Sequence, residues 1–133
     1  MSPESLTSAG LLLVIMPTVI VGGVSILTLL IRDPRYRQNP LRQQLWRAGH
    51  AHAGVLLILS LVALLYVDRA DLSEAWKQVV RSAFPASAIF LPAAYFLSVL
   101  SPTATRPNAL IYLAYVGAVV LTFGLIVLGV GLL

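Results

Sequence analysis

Two histidines, His50 and His52, are the only imidazoles in the chain, and both stand in the stretch Arg47-Ala48-Gly49-His50-Ala51-His52-Ala53-Gly54. A neutral imidazole can serve as a metal or haem ligand, a base or a hydrogen-bonding group, and a nearby arginine adds a permanent charge that attracts phosphate or carboxylate. Spacing limits what the pair can do together. In a regular helix residues two apart point about 200° from one another, so both rings reach one ion only if Gly49 and His50 remain extended ahead of the helix. A helix start here would instead offer free backbone N–H groups beside Arg47, a site for a phosphate, a carboxylate or a lipid headgroup. Arg47, Gly49, His50 and His52 are therefore the candidate ligand-binding set, and His50 with His52 the candidate metal pair. The plainer alternative is that His50 lies at the membrane interface and His52 bonds a neighbouring helix. Haem or metal is possible as a cofactor but not favoured, because a bis-histidine haem would need a homodimer or an axial tyrosine.

Other chemistries find no support. The chain has no cysteine, which removes thiolate nucleophiles, disulfides and cysteine-based metal sites. Its acids, Glu4, Asp33, Asp68, Asp71 and Glu74, all lie outside the long apolar stretches, so no buried carboxylate is available for proton-coupled exchange. No acid, base and nucleophile converge on one face, and no phosphate-binding glycine loop follows a strand. The residues point away from an enzyme.

The elements that must carry these residues are set by composition. Of 133 residues 59% are apolar and 11% charged, and mean hydropathy is +0.90, outside the range of water-soluble domains. Four apolar stretches, about 10–31, 50–67, 83–100 and 109–133, are each long enough for the roughly 20 residues that cross a bilayer. The first is read as a retained span, since no positive region precedes it. The spacing of Leu72, Trp76, Val79 and Val80 against Glu74, Lys77 and Arg81 predicts a short interfacial helix over about 72–81, started by Asp71 and Glu74. The expected fold is all-α, a single-domain integral membrane four-helix bundle with that interfacial helix on the extracytoplasmic side.

Charge sets the expected orientation. The loop 32–47 holds Arg32, Arg35, Arg37, Arg42 and Arg47 against the single acid Asp33, and the loop after the third span holds Arg106. By the positive-inside rule both loops face the cytoplasm of a bacterial inner membrane, with both termini extracytoplasmic. Such a basic loop suits anionic lipid as a partner, and its placement argues against nucleic acid. Helix packing is expected along two lines of small residues: Ala114, Gly117, Gly124 and Gly131 in the last span, and Thr18, Gly22 and Ser25 in the first. Either line could pack within one chain or between copies in a homo-oligomer.

Residues 47–57, RAGHAHAGVLL, resemble a stretch in a group of small uncharacterised bacterial four-helix membrane proteins that carry Gly-His-Ala-His-Ala-Gly. The resemblance covers about one span and its approach, and it implies the fold without any activity. The expected function is a non-enzymatic binding or accessory module with a cytoplasmic-side Arg/His site. A small oligomeric channel or transporter is the alternative, and a haem- or metal-binding redox protein a further one.

Overall fold

Proline next to a short polar side chain marks most of the helix starts. A computed structural model describes residues 1–133. Helix α1 (Pro3–Arg32) begins where the Ser2 hydroxyl accepts from the Ser5 N–H, with Pro3 in the first turn, where its missing N–H costs nothing. Asp33 ends α1 and caps the single turn α2 (Pro34–Arg37), accepting from the Arg35 N–H at 2.9 Å. Asn39 and Pro40 repeat the device for α3 (Pro40–Val67), and Ser73 caps α4 (Glu74–Ser98). A 3-10 turn, Ala109–Tyr112, leads into α5 (Leu113–Leu132). The fold is all-helical, and four of its helices are long and apolar enough to cross a membrane.

Two boundaries differ from the sequence reading. Helix α3 starts at Pro40, ten residues before the apolar stretch, because arginine, glutamine and leucine are good helix formers and a span's hydrophobic edge is not its hydrogen-bonded edge. The segment 72–81 is not a separate helix. Its polar turns run unbroken into the apolar span as α4, nothing between Arg81 and Ala83 interrupts the ladder, and the cap is Ser73 rather than Asp71. Asn108 closes the far end of α4, donating from its side chain to Leu97 O and from its backbone to Ser98 O.

The long helices form a row rather than a closed ring. Helix α3 packs along α4 and α4 along α5, while α1 lies mainly on α3 and makes no contact with α5. The apolar core gathers at one end, where Leu12 of α1, Leu57, Ala63, Leu64 and Val67 of α3, Val80 and Phe84 of α4 and Leu128 of α5 meet. Close approach of α5 to its neighbours depends on glycine. A Cβ at Gly117 would lie 2.8 Å from Leu91 Cγ, one at Gly124 3.0 Å from Ala83 Cβ, and one at Gly131 2.6 Å from Leu72 Cγ. Ala114 is half-buried one turn before Gly117. This glycine face is therefore occupied by the chain itself. In α1 only Gly22 of the expected line meets α3; Thr18 and Ser25 are exposed and return their hydroxyls to Ile15 O and Val21 O of their own helix.

Candidate functional site at the arginine-rich end

The Gly-His-Ala-His-Ala-Gly stretch is wholly helical within α3, so the extended arrangement that would let both histidines converge does not form. Successive residues fan out around the helix. Gly49 is buried under α4, where a Cβ would lie 3.0 Å from the Phe96 ring and 3.1 Å from Tyr95 Cβ. His50 turns the other way, its ring lying in the notch made by Gly22 and Gly23 of α1, 3.0 Å from where a Gly23 Cβ would stand. His52 faces α4, its ring centroid 5.1 Å from that of Tyr95. Its Nδ1 is 2.7 Å from Ala48 O; a carbonyl only accepts, so Nδ1 is the donor. Arg47 is exposed. The four residues therefore do not share one cavity, and nowhere do three His, Cys, Asp or Glu side chains gather as a metal site would require.

What the fold does assemble, one to two turns earlier on α3, is a cluster around Arg42. Its guanidinium carbon lies 4.1 Å from the centroid of the Trp46 ring, one turn along the same helix, and 5.9 Å from that of Tyr36. Trp46 packs on Tyr36 and Phe96, each with ring centroids 5.8 Å away, and its indole N–H donates to Phe96 O at 3.2 Å. Tyr36 is held in place because Gln43 donates from its side-chain amide to Tyr36 O and Arg37 O, tying α2 down onto α3. Asn39 does the same for the far loop, donating to Pro102 O and Ala104 O at 3.0 Å each. Beside it a groove of about 450 Å³ is lined by Arg35, Gln38, Asn39, Thr103 and Thr105.

Arg42 is 7% exposed, yet it forms no ion pair. Two buried polar atoms in the chain lack a hydrogen-bond partner, Arg42 Nε and the Tyr36 hydroxyl, and both belong to this cluster. Burial raises the Tyr36 phenol above its ordinary value, opposed in part by Arg47 and Arg42, so it remains a neutral donor at physiological pH. The only acid at this end is Asp33, whose Oδ1 is engaged by the Arg35 N–H. The i, i+4 spacing of Arg42 and Trp46 was visible in the sequence; the arrival of Tyr36 and Phe96 was not.

At the opposite end the buried cation has its acid, and Arg69 alone of the bases there forms no ion pair. Arg81, with its side chain 4% exposed, donates to Asp68 Oδ1 at 2.8 Å and to the Ser5 hydroxyl at 3.0 Å. Asp68 also accepts from the Ser5 hydroxyl at 2.9 Å and from the Ser2 N–H at 2.6 Å. Burial alone would raise the Asp68 carboxyl, but the Ser2 N–H, the Arg81 guanidinium and the Ser5 hydroxyl outweigh it and hold the group well below the usual carboxylate range. Lys77 pairs with Glu74 at 3.3 Å. This network clamps the start of α1 to the end of α3 and to α4. Its members are up to 79 positions apart in sequence, and no local pattern announces them. No known protein family, curated protein or solved structure matches the chain, so the functional reading rests on the contrast between these two ends.

Proposed function

We propose that the chain is a non-enzymatic multi-pass protein of the bacterial inner membrane, a binding or accessory module whose working end is the arginine-rich one, facing the cytoplasm. The supporting observation is the distribution of uncompensated charge. Arg32, Arg35, Arg37, Arg42, Arg47 and Arg106 form no ion pair, whereas of the three bases at the other end Lys77 and Arg81 are paired with acids and only Arg69 is not. A free cation near an anionic lipid surface contributes about 1 kcal/mol of attraction, and six in one layer make that end a docking face for anionic groups. Solvent-exposed pairs would have cancelled this field; their absence leaves it available.

The test is selectivity for lipid. The chain is reconstituted into phosphatidylcholine vesicles containing a trace of spin-labelled phosphatidylglycerol or spin-labelled phosphatidylcholine, and the motionally restricted fraction is measured by electron paramagnetic resonance. The anionic label should associate several-fold more strongly at low salt, with the preference shrinking as ionic strength rises. Equal association of the two labels at low salt refutes the reading.

A further inference from the structure

We infer that Arg42 is the centre of a discrete site for one phosphate-bearing group. The inference rests on the reading of this end as an anion-binding face and adds a specific place and ligand class to it. A guanidinium is charged at every physiological pH and carries five N–H donors in one plane. The guanidinium carbon lies over the Trp46 ring, and the outer nitrogens Nη1 and Nη2 remain as a pair of donors, the arrangement that binds phosphate through two parallel hydrogen bonds. No carbonyl, hydroxyl or carboxylate of the chain takes those donors. Nε is sealed off without a partner, while the two outer nitrogens also bond nothing in the chain and keep contact with the outside. A positive charge enclosed this far without an acid is costly unless an anion accompanies it. The other buried arginine, Arg81, has its acid in Asp68, which makes Arg42 the exception.

Position selects phosphate. The 26 residues from Arg42 to Asp68 extend about 39 Å at about 1.5 Å per residue, more than the roughly 30 Å of bilayer hydrocarbon. With Asp68 at one hydrocarbon edge, Arg42 reaches the level of the headgroups on the other side, and the half-buried Trp46 stands at the depth of an interfacial aromatic belt. The groove lined by Asn39, three residues before Arg42, offers polar side chains and contains no acid, so it can take the remainder of a hydroxylated headgroup without repulsion. The ligand class is a phosphate ester, supplied by an anionic glycerophospholipid or by a soluble glycerol phosphate.

Native mass spectrometry of the detergent-purified full chain, titrated separately with phosphatidylglycerol, phosphatidylcholine and glycerol 3-phosphate, tests this. One phosphatidylglycerol per chain should be retained, at least tenfold more tightly than phosphatidylcholine. Arg42→Leu should reduce that affinity at least tenfold. Arg42→Lys keeps the charge but loses the fork and should reduce it at least threefold. Arg32→Gln and Arg106→Gln should change it by less than twofold. Displacement of the lipid by millimolar glycerol 3-phosphate would make the bound group a free phosphate ester, and lack of displacement would make it a lipid headgroup; either outcome supports the site. Arg42→Leu and Arg42→Lys proteins that bind like the parent overturn it. If binding instead falls equally with every arginine removed, the discrete site is wrong while the broader anionic preference stands. Arg42→Lys keeps the charge and the aliphatic stem and keeps the test decisive should Arg42→Leu fail to fold.

Discussion

Replacing Asp68 by asparagine changes almost no volume but removes the charge that balances Arg81. The Arg81 side chain is 4% exposed and that of Asp68 18%, so most of the cost of desolvating the guanidinium is incurred whether or not the carboxylate is present. Removing one partner of a buried ion pair costs about 3–5 kcal/mol. Here the lower end applies, because Asp68 keeps some solvent and Arg81 retains Glu74 at 3.7 Å and the Ser5 hydroxyl at 3.0 Å. The expected loss for Asp68→Asn is about 3 kcal/mol. Removing both charges, as in Asp68→Asn with Arg81→Met, should recover at least half of that loss, since a well-packed apolar replacement of a buried pair is often neutral. Reversible unfolding by sodium dodecyl sulfate from mild detergent micelles, followed by circular dichroism, measures both proteins against the parent. An Asp68→Asn protein within about 0.5 kcal/mol of the parent would refute the reasoning, because that is the scale of exposed pairs. A double variant less stable than Asp68→Asn would refute it as well.

The same pair sets a pH dependence. Since the Asp68 carboxyl is lowered in the folded chain, its contribution is fully present above the unfolded value of about 4 and is lost only as pH falls from there toward the depressed folded value; the stability gap between parent and Asp68→Asn should stay constant from pH 8 to pH 5, and its disappearance in that interval would contradict the assignment. Gly117→Ala should destabilise by about 1–3 kcal/mol through overpacking against Leu91, whose backbone N is also within 3.1 Å. Gly129→Ala, which meets nothing within 4 Å, should be neutral or stabilise by up to about 1 kcal/mol, and the same unfolding assay ranks the two. Single cysteines introduced at Gln38 and Gln78 into this cysteine-free chain should react with an impermeant maleimide from opposite sides of the membrane, and equal labelling on intact cells would overturn the orientation.

The sequence by itself determined that the chain is helical, where its four apolar stretches fall and which end carries the free arginines, since these follow from local hydropathy and from charge counted along the chain. It also marked Gly117 and Gly124 as places where helices come close, because a glycine repeat at a helical period has few other uses in an apolar segment. It marked the apolar part of α3 and not the helix start at Pro40, because hydropathy registers the solvent a segment prefers and says nothing of how far the hydrogen-bonded ladder continues into polar residues. Which residues meet was a tertiary matter. His50 and His52, two positions apart, could converge only on an extended backbone; within the helix they diverge, and packing sends one to Gly22 and Gly23 of α1 and the other to Tyr95 of α4. Arg42 and Arg81 read alike as loop or interfacial cations, and only the packing of distant segments gave Arg81 an aspartate and left Arg42 with aromatic rings alone. The physical reason is that an arginine's partners are set by what other helices bring to it across tens of residues, whereas helix formation is decided within a few turns.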